Sequence, residues 1–240
     1  RRAAGPGCRI VEVTGEPTSA VSEDCGSQGA WLRVLRPQDG SMETQARLPV
    51  DGQLEEVHTL SVRPLVVRVK DKGLRGTDAV LSYDEQGEVR ATIPVSQPAF
   101  TLQADASPAA NALVHEGLLI VPAERPGDSK PAGEGNLKVT GRLAAYSLAG
   151  GNLKWTTEFP GSVRGIAAES RSVTVVTSND KFVTLAAQTG ETTAQESTPD
   201  HRSIRGPKHL WLRDGRHVMV DVTGSEDRPA SVYARAANAR

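Results

Sequence analysis

Two cysteines, Cys8 and Cys25, are the residues whose spacing most directly indicates a chemical reaction. The β-prone runs Arg9 to Val13 and Thr18 to Asp24 flank Gly15-Glu16-Pro17, which predicts a hairpin with its turn near residues 15 to 18. In that register the numbers of facing residues sum to about 33, which places Cys8 opposite Cys25. Facing residues of an antiparallel pair have the Cβ spacing that a disulfide needs. We therefore expect a Cys8–Cys25 disulfide rather than two inert buried thiols.

A disulfide also indicates where the protein works. Such a bond persists only in oxidising surroundings, outside the cytoplasm. The expected location is extracytoplasmic, either secreted or tethered to the outer face of the cell membrane.

Histidines could bind a metal ion, but their predicted placement does not bring them together. The Asp214-Gly215 turn sets His209 opposite Val220 and His217 opposite Leu212. These two rings therefore should not converge on a metal ion.

The remaining candidates for chemistry have simpler explanations. His58, His115 and His201 are each predicted to stand alone as packed or surface residues. Ser162, between Gly161 and Gly165, lies one position early for a nucleophile elbow and is expected in an interstrand turn.

Paired carboxylates and tryptophans likewise do not predict a site. Glu55-Glu56 and Glu226-Asp227 are expected to be solvated, because nothing predicts a partner carboxylate for acid–base catalysis. Trp31 and Trp211 are expected to pack in the core or between sheets. We expect no catalytic residue, no cofactor and no metal site, and an enzyme is the less favoured class.

Charge and composition exclude several partners. The 28 Lys and Arg residues nearly balance the 29 Asp and Glu residues, so no basic field for nucleic acid is present. The longest apolar stretches fall well short of the roughly 20 residues of a membrane span, so this segment is predicted to be soluble. The 23 Gly and 15 Pro residues interrupt the chain often enough to favour many short strands over helices.

Four segments of the chain follow one plan of strand, polar turn and strand. Each turn ends at a glycine and each second strand is closed by proline. The segments are Trp31 to Pro49, Ala79 to Pro94, Arg142 to Pro160 and Lys181 to Pro199, with turn glycines Gly40, Gly87, Gly151 and Gly190. The glycine supplies the positive φ of a tight or bulged hairpin, and the proline marks where strand pairing can stop.

Three pairs of further apolar runs lie between these hairpins, so each unit contains about four strands. The runs are Val57 to Val62 and Leu65 to Val69, Ala112 to Val114 and Leu118 to Val121, and Val163 to Ala168 and Val173 to Thr177. A last hairpin, His209 to Val222, is apolar on both faces, as expected of a sheet packed between two others. The sequence predicts an all-β fold of about five four-stranded antiparallel sheets.

The segment Leu143 to Trp155, LAAYSLAGGNLKW, resembles the repeat of PQQ-like (quinoprotein-type) β-propellers. Leu185 to Glu191 and Leu81 to Glu88 are weaker matches. The resemblance implies a single PQQ-like propeller domain, or a portion of one, over residues 1–240, of the exported actinobacterial kind.

The chain departs from the family pattern at the tryptophan position, where the other repeats carry Thr44, Ala91 and Ala194. Family rings usually close with seven or eight blades, and five are visible here. Either the propeller is small or irregular, or missing blades or a partner chain close the ring.

The polar segment 122–141 is predicted to be a loop insertion between two strands of one blade. The shorter Asp71 to Thr77 occupies the equivalent connection one blade earlier, so both are expected on one face. Candidate partner-binding residues on these loops are Arg75, Arg125, Asp128 and Lys130.

The predicted function is a non-enzymatic binding or scaffold propeller that presents loops to a protein, glycan or cell-envelope partner. The alternatives are the ligand-sensing region of a membrane receptor, or a propeller enzyme with a site in the central channel.

Overall fold

The computed structural model of the protein describes residues 7–14, 19–51, 53–73, 76–104, 112–125, 140–197, 208–213, 216–221 and 232–236. These residues form five antiparallel sheets. Their one helical element is a 3₁₀ turn, Gly26–Gln28, and no helix among them is long and apolar enough to cross a membrane. By its internal contacts the chain divides into two compact units, residues 1–96 with 148–152, and residues 97–147 with 153–240.

The first unit contains two four-stranded sheets. Strands β1–β4 of the first sheet span Arg9–Thr14, Ser19–Asp24, Ala30–Leu35 and Met42–Leu48. Strands β5–β8 of the second sheet span Leu54–Val62, Leu65–Asp71, Asp78–Tyr83 and Val89–Pro94.

The second unit contains the other three sheets. In the third sheet, β9 (Thr101–Leu102) pairs with the end of β11, and β10–β13 span Leu113–His115, Leu118–Glu124, Thr140–Ser147 and Leu153–Pro160. In the fourth sheet, β14–β17 span Val163–Glu169, Ser172–Thr177, Lys181–Ala186 and Thr192–Ser197. In the fifth sheet, β18–β20 span Lys208–Arg213, Arg216–Asp221 and Val232–Ala236. The predicted all-β fold of four-stranded sheets is confirmed.

The predicted hairpin repeat is confirmed in four sheets. The turn glycines Gly40, Gly87, Gly151 and Gly190 all have positive φ, between 69° and 84°. In each hairpin the strand register shifts by one residue next to the turn, which is a β-bulge. A residue with a Cβ atom would be strained at these glycines, which explains the residue type.

The middle strands β6 and β11 are buried on both faces. Val66, Val67 and Val69 of β6 are fully buried, as are Leu119, Ile120 and Val121 of β11. The fourth strands β8 and β13 instead alternate between buried and exposed residues over much of their length. This burial is expected when each sheet packs face to face against a neighbour.

Within the first unit, three contacts join the first and second sheets. Glu12 Oε2 accepts hydrogen bonds from Thr59 N (2.9 Å) and Thr59 Oγ1 (3.0 Å), and the Tyr83 hydroxyl donates to Arg47 O (3.2 Å). Burial of the Tyr83 ring raises the pKa of its hydroxyl, so it stays protonated and keeps donating. At the third contact Gly87 lies so close to β4 that a Cβ atom there would be 2.2 Å from Gln45 O.

Within the second unit, a tryptophan joins the third and fourth sheets. Trp155 on β13 is buried, and its indole Nε1 donates to Ala187 O at 3.0 Å. A Cβ atom at Gly190 would lie 2.6 Å from the same indole ring. Gly190, the turn glycine of the fourth sheet, therefore packs against the Trp155 ring. Gly87, the turn glycine of the second sheet, packs against the backbone of β4 instead.

The structure shortens the predicted loop insertion at both ends. Strand β11 continues through Pro122, Ala123 and Glu124, where the last two residues pair with β9, and β12 begins at Thr140. Residues 126–139 lie outside the described residues.

The Cys8–Cys25 disulfide is present, with an S–S distance of 2.01 Å. Arg9 faces Asp24 and Ile10 faces Glu23, which is the register expected from the sequence. Residues 15–18 of the predicted turn are outside the described range.

Candidate functional site

The predicted partner-binding loops follow the second strand of their sheets. The connection from β6 to β7 contains Arg75, and the connection from β11 to β12 contains Asp128 and Lys130, but these three residues lie outside the described part of the chain. Arg125 is described, and its Nη2 lies 3.1 Å from Glu158 Oε1. This ion pair fixes the start of the longer loop to β13.

The same carboxylate also holds Arg142 on β12. Arg142 Nε and Nη2 donate to Glu158 Oε1 at 3.0 Å and 2.7 Å, and the Arg142 side chain is buried. One glutamate thus pairs with two arginines at the base of the longer loop.

In the first unit, a single carboxylate organises the equivalent loop. Asp71 is buried at the end of β6, and its oxygens accept hydrogen bonds from the backbone N–H groups of Gly73 (2.8 Å), Thr77 (3.1 Å) and Asp51 (3.2 Å). Burial acts to raise the pKa of Asp71, but the hydrogen bonds from Thr77, Gly73 and Asp51 together outweigh it, so the pKa lies below its ordinary value. Asp71 therefore joins its own loop to the segment that links the first two sheets.

Replacing Asp71 with asparagine should lower the free energy of unfolding by about 2 kcal/mol at neutral pH, because a neutral amide with one oxygen cannot accept all three bonds. The lowered pKa means that the ionised carboxylate stabilises the fold above its unfolded pKa of about 3.9. That contribution is lost as the pH falls through the lower folded value. Urea denaturation at several pH values should show a constant difference from wild type above about pH 5 that shrinks below about pH 4.

Asp84→Asn is the matched control for this substitution. Asp84 Oδ1 accepts the N–H groups of Gln86 (3.0 Å) and Glu88 (2.9 Å) in an exposed turn, so the loss should stay below about 1 kcal/mol. If Asp71→Asn and Asp84→Asn lower the free energy of unfolding equally, the bonds of Asp71 do not have the stabilising role assigned to them. A loss for Asp71→Asn that does not change with pH would also contradict that role.

The connection from β2 to β3 lies at the same end of the strands as the Asp71 loop. The disulfide holds Cys25 at its start, Cys25 N donates to Gly29 O (2.9 Å), and Gly26 N donates to Asp24 Oδ1 (3.0 Å). The loop is thereby fixed at both ends.

A groove of about 550 Å³ opens between this loop and the segment linking the two sheets. Its lining residues are Asp24, Gly26, Ser27, Gly29, Arg47, Val50, Asp51 and Gln53. Arg47 lies over Gly29, where a Cβ atom would be 3.4 Å from Arg47 Nε. Asp51 and Gln53 bond through their backbones to Asp71 and Lys72, so the groove is continuous with the Asp71 loop. It presents both signs of charge.

A second groove in the first unit, of about 750 Å³, lies at the opposite end of the strands. It contains the Arg63–Glu43 ion pair, in which Arg63 Nη2 contacts both carboxylate oxygens at 2.7 Å and 2.8 Å. Arg90 on β8 also lines it. Because this end lacks the predicted partner loops, the groove beside Asp71 is the candidate functional site.

The histidines that the sequence placed alone have partners. His58 Nδ1 lies 3.4 Å from Glu12 Oε1, and His115 Nε2 lies 2.7 Å from Ser170 O. His217 is buried and stacks on Phe182, with ring centroids 4.7 Å apart. His58 and His115 were predicted to be packed or surface residues rather than metal ligands, and their partners come from neighbouring sheets far away in sequence.

The last hairpin has the expected register. His209 faces Val220 and His217 faces Leu212. Trp211 differs from expectation, because it is 49% exposed rather than packed. His201 lies outside the described residues.

No protein-family model matches the chain, and no curated protein sequence matches it. Among solved structures, Sqt1 from Saccharomyces cerevisiae is similar over 95% of this chain and 58% of its own, with a TM-score of 0.50 and 12% identity. The WD40 domain of Toxoplasma gondii coronin (TM-score 0.48, 10% identity) is matched over 90% of this chain and 53% of its own. BamB from Moraxella catarrhalis (TM-score 0.39, 10% identity) is matched over 91% and 73%.

These similarities concern the fold. The five antiparallel sheets and the likeness to Sqt1 show a β-propeller. The chain spans little more than half the length of the Sqt1 chain.

Proposed function

We propose that this chain is a non-enzymatic propeller that binds a protein partner at the groove beside the Asp71 loop. The observation that carries the proposal is the set of bonds that fixes the walls of this groove. Its walls are held by the disulfide on one side and by the three hydrogen bonds of Asp71 on the other. A pre-formed surface loses little conformational entropy when a partner binds, which favours recognition.

The charges of the groove suit a polar protein surface. Asp24, Arg47 and Asp51 line it within a chain of net charge −1, so it offers pairing to both signs. Arg75, Arg125, Asp128 and Lys130, on the two predicted loops, are proposed as further partner contacts. A glycan or another cell-envelope component is the alternative occupant.

We also propose that the protein works outside the cytoplasm and belongs to the PQQ-like group of propellers. The disulfide supports the location, since such bonds persist in oxidising compartments. The repeat around Trp155 supports the family. Further blades or a partner chain are proposed to complete the ring, in line with the 58% coverage of Sqt1.

A site-specific photo-crosslinker tests the binding site. Placed at Ser27, which lines the groove, it should capture a defined envelope protein of the cells that express this chain. Placed at Gln86, in the second groove, it should not capture that protein. Capture of the same set of proteins from both positions would overturn the assignment.

A matched pair of charge reversals then measures the contribution of the groove. Arg47→Glu on β4 should weaken affinity for the captured partner by roughly tenfold or more. Arg90→Glu on β8 makes the same charge change in the second groove and should stay within about twofold of wild type. Equal effects of the two reversals would contradict recognition at the Asp71 end.

A further inference from the structure

Three side chains that can bind metal ions meet beside the first hairpin. Cys8, Glu23 and Cys25 each offer one ligand atom, and these atoms lie within 4.8 Å of one another. The disulfide joins Cys8 and Cys25 just beyond the paired ends of β1 and β2, and Glu23 lies two residues before Cys25 in β2. The hairpin and its disulfide bring the group together.

The glutamate of this group is buried without full hydrogen bonding. Glu23 is 2% exposed, and its Oε2 has no hydrogen-bond partner among the described residues. Arg33 Nη2 lies 3.1 Å from that oxygen as an ion pair, and Arg33 Nε also lacks a hydrogen-bond partner there. An ion pair thus holds Oε2 without a hydrogen bond, which leaves part of the acceptor capacity of a buried carboxylate for an ion bound in another state of the protein.

We propose that the reduced form of the protein binds a thiophilic divalent ion such as Zn²⁺ through Cys8, Cys25 and Glu23. A dithiol reductant would supply two electrons and two protons to the disulfide and would itself become a disulfide. The two thiols formed would release their protons to solvent when the ion binds, because thiolates are the ligands. Two thiolates, one carboxylate and a water complete the four positions that Zn²⁺ prefers.

The charge of the proposed site is balanced by the chain itself. Two thiolates, one carboxylate and a divalent ion sum to a charge of −1, and Arg33 beside Glu23 carries the compensating positive charge. An arginine paired with a ligating carboxylate orients that ligand, as outer partners of metal sites do. The disulfide and the bound ion are then two alternative bonds holding the same hairpin.

Cobalt binding to the reduced protein tests the proposal. After reduction and removal of the reductant under anaerobic conditions, one equivalent of Co²⁺ should give a thiolate-to-cobalt charge-transfer band, which Zn²⁺ abolishes by displacement. The oxidised protein should give no such band. A reduced, strand-rich protein without the band would overturn the proposal.

Substitutions separate a three-ligand site from adventitious binding. Glu23→Gln should weaken Co²⁺ binding by roughly tenfold or more, whereas Glu55→Gln, at a glutamate paired with Lys70 on the surface, should leave it unchanged. Cys8→Ser and Cys25→Ser should each remove most of the band. Unchanged affinity in Glu23→Gln would overturn the three-ligand site.

The thermal stability of the reduced protein provides a second readout. This readout also tests the proposal if the chain unfolds on reduction, because Zn²⁺ should then restore folding. An ion that binds only the folded state stabilises it by mass action, so circular dichroism should show that Zn²⁺ raises the thermal midpoint of the reduced protein and not that of the oxidised protein. If the reduced chain stays unfolded in the presence of Zn²⁺, the proposal is wrong.

Discussion

Replacing Trp155 with alanine should lower the free energy of unfolding of the second unit by about 4 kcal/mol, within the 3–5 kcal/mol typical of large aromatic side chains in cores. Trp155 is 8% exposed, and its indole ring packs against Gly190 in the turn of the fourth sheet. Its removal leaves a cavity beneath Gly190 and deprives Ala187 O of its 3.0 Å hydrogen bond. Urea denaturation followed by far-ultraviolet circular dichroism measures the loss independently of tryptophan fluorescence.

Two variants show whether the loss comes from this contact. Trp155→Phe keeps most of the ring and removes the N–H group, so it should cost only about 1–2 kcal/mol. Trp211→Ala removes a tryptophan that is 49% exposed and should cost less than about 1 kcal/mol. Similar losses for Trp155→Ala and Trp211→Ala would refute the structural role assigned to Trp155.

The second large effect is expected at Gly87. Alanine there should cost about 3 kcal/mol, because its Cβ atom would lie 2.2 Å from Gln45 O, a backbone atom that cannot move aside. Part of the loss, about 1 kcal/mol, comes from placing alanine at a φ of 84°.

Gly40→Ala measures the cost of the positive φ alone. Gly40 occupies the same turn position, with a φ of 69°, but no atom lies within 4 Å of where its Cβ would be. Its loss should therefore be about 1 kcal/mol, and thermal or urea denaturation of both variants gives the difference. If both variants lose the same amount, the contact between Gly87 and β4 does not stabilise the protein.

The local features of the fold were predictable from the sequence because they depend on neighbouring residues. Turn glycines predicted the hairpins, since positive φ is a local requirement. The register that joins Cys8 to Cys25 followed from the position of a turn. Apolar runs such as Leu65 to Val69 predicted the middle strands.

The contacts between sheets were not predictable, because period-two alternation gives the faces of a strand and not the residue opposite on the next sheet. Asp71 shows this for the candidate site. Its loop was expected to bind a partner, but the bond from Asp51 N to Asp71 joins positions that no sequence pattern relates.

Arg68 is a residue whose burial and partner the hydrophobic pattern does not predict. It lies in an apolar strand and is 2% exposed, and Asp78 on the adjacent strand pairs with it. A buried arginine needs such a partner, but the sequence does not say which carboxylate provides it.

Two of the turn glycines contact different chemical groups, and this difference affects how the likeness between such repeats can be recognised. Gly190 rests on an indole ring, whereas Gly87 rests on a main-chain carbonyl, and both turns keep the same backbone conformation. A positive φ and a close spacing therefore suffice to build this turn, and the group that the glycine contacts can be a side chain or the backbone. Comparison of backbones detects such a likeness where comparison of residue identities does not, so the chain matches no family model and yet shares its fold with Sqt1 over 95% of its length at 12% identity.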